Sequence, residues 1–344
     1  MKSQICPLYS LLPDEIEKRI DLEKNFRYSQ LFSWIYKKQI ESFDKMKNMP
    51  EELRKRCRAK FEIMTLKEKS VIKSKRTNAV KRAFQTEDGH IIESVVMRDD
   101  EGKTSLCISS QIGCPYACTF CATGMNVKYI RSLDMHEIIE QYVLCCRQLR
   151  DAKIDRIVFM GMGEPLLNYN NVIRSVELLT SPKAFSYSPK RITISTVGHI
   201  KGINDLASSA AQVNLAVSLH SADQDVRNRL LPDMKGRSLD VLKKALVKYQ
   251  ERKKSPLFIE NVLVKDINDS VLDAKKLAAY LGDLKVKVNI IAYNKIRGSI
   301  YRSPQPQRIK VFREVLEKAG YTVIQRYKRG DDIAAGCGQL AGLE

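Results

Sequence analysis

Short runs of β-branched and other apolar residues recur along most of the chain and alternate with amphipathic segments. Apolar residues at helical spacing predict helices at 134–149, 238–252, 271–281 and 306–319. The runs between them predict strands at 106–109, 156–160, 191–196, 213–219, 257–263 and 286–291, with a further strand at 322–326. Repeated strand–helix alternation is typical of an α/β fold, in which helices cover a parallel sheet and ligands bind at the carboxyl ends of its strands.

Six strand–helix units are too few to close an eight-stranded barrel, so two architectures fit the pattern: an open, partial α/β barrel or a doubly wound sheet. The first 70 residues have a helical pattern instead, and the next segment contains two strand-like runs around a turn. We therefore divide the chain into an N-terminal helical domain at 1–70, a β extension or linker at 71–105 and an α/β domain at 106–344.

The charge balance points to a polyanionic partner. The chain carries 59 Lys and Arg against 40 Asp and Glu, a formal net charge of +19. Residues 51–82 alone hold 12 basic residues against 4 acids. Clustered positive charge is typical of a phosphate-binding surface, so we expect nucleic acid as the partner. A merely soluble basic protein is the simpler alternative.

The apolar residues are spread too evenly for a membrane span, because no stretch of eighteen of them occurs in the 344 residues. The first twenty residues contain no apolar core of signal-peptide length before their acids. We therefore expect a cytoplasmic protein. In a reducing compartment its nine cysteines suit metal ligands, catalytic thiols or buried fillers better than disulfides.

Three cysteines in the loop after the first predicted parallel strand, Cys114, Cys118 and Cys121, have the spacing C-x3-C-x2-C. Structural zinc takes four protein ligands, often as two C-x2-C pairs, and no fourth ligand follows in that pattern. Three thiolates hold a four-iron cluster with one iron left open for a small ligand. This spacing is the signature of the radical S-adenosylmethionine superfamily. The alternatives are a zinc site completed by a distant cysteine, and buried free thiols.

Glycines and polar residues follow the later strands at the same rim of the predicted sheet. Glycine allows a close approach of backbone to ligand, a carboxylate can take an ammonium group, and Ser and His donate hydrogen bonds. Each signal is weak alone, but their convergence beside the cysteine loop predicts a ligand site. The residues are Gly161, Gly163, Glu164, Ser195, Ser218, His220 and Asn294.

The chain resembles the RlmN/Cfr family of radical S-adenosylmethionine RNA adenosine methyltransferases over nearly its whole length. The cluster motif marks only the superfamily, whereas the C-terminal motif around Cys337 is specific to this family. The resemblance implies a partial (β/α)6 radical-SAM barrel with a small N-terminal helical domain that binds RNA. The motifs that carry it are CISSQIGCPYACTFCATG at 107–124, FMGMGEPLLNYNNV at 159–172, SLH at 218–220 and RGDDIAAGCGQLAG at 329–342.

The resemblance implies methylation of carbon 2 of adenosine in large-subunit ribosomal RNA, and in transfer RNA as well. The sister branch, which methylates carbon 8, is the runner-up. The implied cofactors are one [4Fe–4S] cluster, held by the three loop cysteines, and two molecules of S-adenosylmethionine per turnover. An external electron donor such as flavodoxin and a monomeric enzyme complete the expectation.

The resemblance also implies roles for residues outside the cluster loop. Cys337 accepts a methyl group, a 5′-deoxyadenosyl radical takes a hydrogen from that methyl, and the resulting methylene radical adds to adenine. Cys107 then forms a disulfide with Cys337 and releases the base, while Glu93 removes the ring proton. The S-adenosylmethionine contacts fall on Gly163, Glu164, Ser195, Ser218, Leu219, His220 and Asn294.

Strand geometry is compatible with these thiol roles, because Cys107 and Ser109 point to one face of a strand and Leu106 and Ile108 to the other. Cys107 is therefore expected to face the barrel lumen. Two function classes compete: a glycyl-radical activating or other protein-modifying radical enzyme, and a non-enzymatic RNA-binding protein with a structural metal. Neither needs a methyl-accepting cysteine at position 337.

Overall fold

The computed structural model describes residues 5–149, 153–253, 257–326 and 328–341. Within these ranges the chain forms one ten-stranded sheet and two small two-stranded sheets. The strands are β1 (Cys6–Pro7), β2 (Phe61–Glu62), β3 (Lys67–Lys73), β4 (Ala79–Gln85), β5 (Ile91–Arg98), β6 (Thr104–Cys107), β7 (Gln111–Ile112), β8 (Arg131–Ser132), β9 (Arg156–Phe159), β10 (Ile192–Thr196), β11 (Asn214–Ser218), β12 (Leu257–Leu263), β13 (Val286–Ala292) and β14 (Thr322–Arg326).

The predicted helices are confirmed to within two residues at each end. In the described ranges no helix has both the length and the apolar surface needed to cross a bilayer. The α-helices are α1 (Pro13–Arg19), α2 (Asn25–Phe32), α3 (Glu51–Lys60), α4 (Ala122–Asn126), α5 (Met135–Arg147), α6 (Tyr169–Thr180), α7 (Ile200–Ser208), α8 (Gln224–Leu230), α9 (Leu239–Lys253), α10 (Val271–Leu281) and α11 (Pro306–Lys318). Single helical turns lie at Leu8–Ser10, Ser33–Lys37, Phe43–Lys45, Pro165–Asn168, Pro189–Arg191, Pro232–Met234 and Asp331–Ile333.

Seven strands of the large sheet, β6 and β9 to β14, are parallel and lie side by side in chain order. A doubly wound sheet reverses its order at a switch point. The uninterrupted order therefore excludes that architecture and confirms the partial barrel. The antiparallel strands β5, β4 and β3 extend the other end of the sheet. Among the described strands no pairing joins β14 to β3, so the barrel stays open.

The first parallel strand separates two apolar layers, as its alternation predicts. Leu106 and Ile108 belong to the main core between sheet and helices, whereas Cys107 packs in a separate lumen cluster with Val95 and Met162. Cys107 therefore faces the lumen, as expected. The strand itself ends at Cys107, two residues before the predicted end.

Three strands, β1, β2 and β3, begin inside the segment 1–70, where only helices were expected. β1 and β2 have two residues each, whereas β3 crosses the boundary of the predicted helical domain. Nearly every residue of its sequence KEKSVIK is exposed, including Val71 and Ile72, because β3 is the edge strand of the sheet. An edge strand with two solvated faces has no alternation of apolar and polar residues from which it can be predicted.

The N-terminal helices pack onto the barrel through a shared apolar core. Tyr36 packs edge-on against Phe185, with ring centroids 5.0 Å apart, and Tyr142 of α5 contacts the same ring at 5.1 Å. Arg147 of α5 donates hydrogen bonds to the Gln39 and Ile40 carbonyls. These contacts fix the helical segment against α5. The domain boundaries after residues 70 and 105 remain predictions.

The buried carboxylate of Glu140 in α5 anchors the start of the β extension. It accepts hydrogen bonds from the backbone N–H groups of Thr65 at 2.8 Å and Leu66 at 2.7 Å. Burial raises the pKa of Glu140 from about 4.5 to about 8, and these hydrogen bonds oppose the rise only in part. The folded protein thus holds this proton more tightly than the unfolded chain. Its contribution to stability is present below about pH 4.5 and is lost as the pH rises through about 8.

Glu140→Gln cannot ionise, so we expect it to remove this pH-dependent loss. Relative to wild type, its free energy of unfolding should rise by up to about 4 kcal/mol between about pH 5 and pH 8.5. Urea unfolding at both pH values measures the change. Glu177→Gln on the exposed face of α6 is the matched control and should show no such trend. A Glu140→Gln difference that is the same at both pH values would contradict the assignment.

Candidate active site

A cavity of about 150 Å³ opens at the carboxyl ends of the parallel strands. Its wall is formed by the ends of β9 to β13 and by two further segments. One is the loop that carries Cys114, Cys118 and Cys121, called the cysteine loop, and the other is residues 328–341, called the C-terminal segment. Of the predicted site residues, Cys107, Glu93 and Leu219 do not form part of this wall. Those that do are Cys114, Cys118, Cys121, Gly163, Glu164, Ser195, Ser218, His220, Asn294 and Cys337.

The cysteine loop is held by hydrogen bonds to α8 and its neighbouring turn, and to the C-terminal segment. The backbone N–H of Ala117 donates to Asp233 Oδ2 at 2.6 Å, and that of Thr119 donates to the Leu230 carbonyl at 3.0 Å. The N–H of Ala122 donates to the Gly338 carbonyl at 2.7 Å. These hydrogen bonds fix the position of the loop beside Cys337.

Burial disfavours the ionised form of two of the loop thiols. Burial raises the pKa of Cys114 to about 12 and that of Cys118 well above its usual range. Metal binding must therefore displace protons from these thiols. The three thiols line one cavity wall, and three thiolates hold a [4Fe–4S] cluster with one iron left open for a ligand.

The turn after β9 brings backbone close to the cavity and needs its glycines. Gly163 has φ of +101°, and a Cβ there would lie 2.5 Å from the Gln111 Cβ. The next residue, Glu164, caps the following helical turn: its Oε1 accepts from the Leu166 N–H at 3.0 Å and its Oε2 from the Val197 N–H at 2.9 Å. Burial raises the pKa of Glu164 to about 7 despite these bonds. An ammonium group of a ligand would restore its charge.

Gly163→Ala is expected to distort this turn, because the added methyl must displace Gln111 as well as adopt an unfavourable φ. We expect at least a tenfold loss of S-adenosylmethionine affinity, measured by calorimetry on the anaerobic protein. Gly236→Ala is the matched control: its φ is +83°, but nothing lies within 4 Å of the added Cβ. It should cost only about 1–2 kcal/mol of stability. Equal affinity for the two variants would refute the close-approach role.

Three strand-end residues present polar groups to the cavity. Ser195 and Ser218 lie with their Oγ atoms 3.4 Å apart. His220 Nδ1 accepts a hydrogen bond from the Val262 N–H at 3.1 Å, which leaves its proton on Nε2. Burial lowers the pKa of His220 to about 3, so the ring is neutral and can act as a donor. Leu219, between them, packs its side chain into the main core, and only its backbone is near the site.

Asn294 links the cavity to the C-terminal segment. Its Nδ2 donates to the Cys337 carbonyl at 3.1 Å. Its Oδ1 is buried and has no hydrogen-bond partner among the described residues. A buried amide oxygen needs a donor, and a ligand amine or hydroxyl in the cavity would supply one. This orphan oxygen is the observation that best fits S-adenosylmethionine to the cavity.

Cys107 and Cys337 come together across the lumen. Cys107 is buried and packs with Ala335 and Leu340, which flank Cys337 in the chain. The side chain of Cys337 is accessible from the open cavity. Burial raises the pKa of Cys107 to about 12, and the Cys337 sulfur adds to that rise. The predicted neighbourhood of the two thiols is therefore present.

Glu93 lies behind the thiols on β5, with its carboxylate almost completely buried. Its Oε1 is 3.0 Å from the ammonium of Lys81 on β4, and its Oε2 accepts from the Ala341 N–H at 2.8 Å. The structure thus places Glu93 against the C-terminal segment and outside the cavity wall. Whether it acts as the base remains a prediction.

Two charged residues of the site were missed from the sequence, Glu260 on β12 and Arg326 at the end of β14. Their side chains form an ion pair, with Nη2 and Oε1 3.3 Å apart. A signal was present for Glu260, since a carboxylate inside the apolar strand LFIENVL must face a polar interior or a partner. The ion pair of Lys81 with Glu93 could not be predicted from the sequence, because Lys81 is one of many basic residues in its segment.

Comparison with known proteins places this site in a family. Residues 108–278 match the Radical SAM superfamily, and residues 20–63 match the Ribosomal RNA large subunit methyltransferase N-terminal domain. The chain is 38% identical to the dual-specificity RNA methyltransferase RlmN of Syntrophotalea carbinolica, over 93% of this chain and 85% of that protein. It is 39% identical to a protein of Christiangramia forsetii described as a probable RlmN, over 99% and 97%.

A solved structure agrees with the sequence comparison. The crystal structure of a radical SAM methyltransferase from Sphaerobacter thermophilus superposes with a TM-score of 0.94 at 34% identity, covering 98% of this chain and 100% of that one. The partial barrel and its three-cysteine loop therefore define a radical S-adenosylmethionine enzyme. Within that class, the chain belongs to the RlmN family. Its cofactors are accordingly one [4Fe–4S] cluster and S-adenosylmethionine.

Proposed function

We propose that the protein methylates carbon 2 of adenosine in large-subunit ribosomal RNA and in transfer RNA. The observation that carries the proposal is the approach of Cys107 to Cys337 at the wall that also holds the cluster cysteines. Ordinary methyl transfer does not need two thiols outside the cluster. The substrate class rests on the names of the RlmN relatives, which describe dual-specificity RNA methyltransferases.

The target carbon explains why two thiols and a radical are needed. An adenine ring C–H is neither acidic nor nucleophilic enough for direct methyl transfer from a sulfonium. When bound, the cluster and S-adenosylmethionine supply a 5′-deoxyadenosyl radical. Cys337 carries the methyl group from which that radical takes a hydrogen, and its loop holds the resulting methylene radical against the base.

The chain then has to separate the methylated base from Cys337. Addition of the methylene radical to carbon 2 forms a carbon–carbon bond, and Glu93 receives the ring proton. The Cys107 thiolate attacks the Cys337 sulfur, so that a sulfur–sulfur bond forms and the sulfur–carbon bond breaks. The released carbon takes up one proton to become a methyl group, and the remaining unpaired electron passes from the two sulfurs to an external one-electron acceptor, such as an oxidised flavin or iron–sulfur protein. A disulfide between the two cysteines remains and must be reduced before the next turnover.

The α3–β3 region offers a surface for the RNA backbone. Lys55, Arg56 and Lys60 are exposed on α3, and Lys67, Lys69 and Lys73 are exposed on β3. We expect RNA affinity to fall at least a hundredfold between about 50 and 200 mM salt, because several phosphates are neutralised. Replacing the three β3 lysines by glutamine should flatten that salt dependence, as measured by filter binding. The same number of Gln substitutions on α11, at Lys310, Arg313 and Lys318, is the control. An affinity that does not change with salt would contradict this surface.

The product identifies the reaction. The anaerobically reconstituted enzyme is mixed with S-adenosylmethionine, a reductant and unmodified ribosomal or transfer RNA, and the digested nucleosides are analysed by mass spectrometry. 2-Methyladenosine is expected. 8-Methyladenosine would instead assign the protein to the sister specificity. Formation of 5′-deoxyadenosine with no methylated nucleoside would keep the radical chemistry, reject RNA methylation and favour a protein-modifying enzyme.

Three further features belong to the same proposal. We propose that the enzyme acts as a monomer, since one chain supplies the three cluster cysteines and Cys337 to the same cavity wall. We propose a cytoplasmic location, where ribosomal and transfer RNA are found. An external donor such as flavodoxin supplies the electrons, and the basic surface suits an acidic protein of that kind.

A further inference from the structure

The guanidinium of Arg326 lies at the junction of the two catalytic thiols. Arg326 ends β14, the last parallel strand, and its Nη1 lies 4.0 Å from the Met160 sulfur on the cavity wall. Met160 packs against the cluster that contains Cys107, and it lines the same cavity as Cys337. Although 36% of the side chain is solvent-accessible, the guanidinium is surrounded by protein. It therefore acts at short range inside the open lumen.

Each charged or titratable group that faces Cys337 comes from a different strand. Arg326 approaches from β14, Glu260 from β12 and Cys107 from β6. Cys337 is reached from the open cavity, but the protein around its sulfur partly desolvates it and raises its pKa; Glu260 adds to the rise, whereas Arg326 lowers the pKa. Arg326 likewise lowers the pKa of Cys107, against burial and the Cys337 sulfur. One cation thus opposes desolvation at both sulfurs.

We propose that Arg326 is a catalytic residue that stabilises the Cys337 thiolate during methyl acceptance and then the Cys107 thiolate during release of the base. The thiolate, not the thiol, is the nucleophile in both steps. An arginine suits this task because its guanidinium stays charged and presents several donors at once. The inference rests on the proposed function for its two steps, but its electrostatic part is testable without RNA.

In the first step, Cys337 loses its proton to solvent and its sulfur forms a bond to the methyl carbon. The bond between that carbon and the sulfonium sulfur of S-adenosylmethionine breaks, and its electron pair stays on the departing thioether. Methylated Cys337 no longer titrates. Cys107 is then the remaining thiol beside Arg326, so the same cation becomes available for the thiolate that attacks in the release step.

Glu260 allows a specific test of the proposal, because its negative charge raises the pKa of Cys337 whereas Arg326 lowers it. Asn289 Nδ2 donates to Glu260 Oε1 at 2.6 Å, and that same oxygen pairs with Arg326. Removing Glu260 leaves Arg326 with Cys337 as its main anionic partner. Arg326→Gln and Glu260→Gln should therefore move the reactivity of Cys337 in opposite senses. If the substitutions only disrupted the packing of the lumen, the reactivity of Cys337 would change in the same direction in both variants.

The test measures alkylation of Cys337 by iodoacetamide in the anaerobic holoenzyme as a function of pH. Rates are read by mass spectrometry from the Cys337 peptide that carries no methyl group. At neutral pH, Arg326→Gln should react on the order of tenfold more slowly, with the rise of its rate displaced to higher pH. Arg326→Lys should recover part of the rate, and Glu260→Gln should react faster than wild type. Arg313→Gln, on α11 outside the sheet, is the matched control and should react like wild type.

An unchanged pH profile in Arg326→Gln, or a shift of both variants in the same direction, overturns the role of Arg326. A displaced profile in Arg326→Gln with the opposite effect in Glu260→Gln supports it. These results do not depend on RNA methylation. If the expected shifts occur while wild-type enzyme makes no methylated RNA, the proposed function fails and the assignment of Arg326 stands.

Discussion

Cys118→Ala is expected to abolish both iron loading and product formation. Three thiolates leave one iron of the cluster open, and removal of one thiolate leaves too few ligands on a rigid loop to hold the other irons. Cys118 lies between the other two ligands on the cavity wall, and its thiol is buried. Iron and sulfide per chain after anaerobic reconstitution, together with visible absorbance, measure the loss. 5′-Deoxyadenosine should vanish as well.

The control for this prediction is Cys146→Ala. Cys146 lies on α5, partly buried against the main core, and is no part of the cavity wall. It should load iron and methylate RNA like wild type. Cys118→Ala that retains iron and turnover would refute the cluster assignment. Wild-type protein that binds zinc in place of iron would favour an RNA-binding protein with a structural metal.

Cys107→Ala is expected to trap a covalent protein–RNA adduct. Without the Cys107 thiolate, nothing attacks the sulfur of Cys337 once the methylene group has bonded to adenine. A single turnover should therefore leave RNA attached to the chain and release no methylated base. The adduct would appear as a gel shift that disappears after nuclease treatment, with a nucleotide mass remaining on the Cys337 peptide.

Two further variants make this result specific. Cys337→Ala should load iron normally but form neither adduct nor product, because it has no methyl acceptor. The double variant should resemble Cys337→Ala. Cys57→Ala, which removes a buried thiol of α3 in the main core, should form product without adduct. A fully active Cys107→Ala enzyme would refute the resolving role, and an adduct in Cys337→Ala would refute the methyl acceptor.

The parts of the site that were predictable from the sequence are those encoded locally. The cluster cysteines lie within eight residues, so their spacing alone defines a common loop. Gly163, Ser195 and His220 each follow a β-branched run, and parallel strands that are wound in order present their carboxyl ends at one rim. The side chain of Leu219 instead packs in the main core, and its contact with S-adenosylmethionine remains a prediction.

The edge strand β3 could not be predicted from the local sequence. β3 has no periodic pattern because solvent covers both of its faces, and it pairs with β4 through backbone bonds that side chains do not reveal. The sequence pattern also could not decide between a barrel and a doubly wound sheet. Both have the same alternation of strands and helices, and only the observed strand order distinguishes them.

The sequence by itself determined the class of chemistry, because ligand type and spacing are set by a few neighbouring residues. It also determined the strand–helix alternation, since hydrophobic periodicity reflects which face each segment buries. Only the tertiary structure brought Arg326 and Glu260 to Cys107 and Cys337, because these four residues come from distant parts of the chain. Their meeting depends on the curvature of the sheet and on how the C-terminal segment docks on the cysteine loop. Both are properties of packing that no local pattern records.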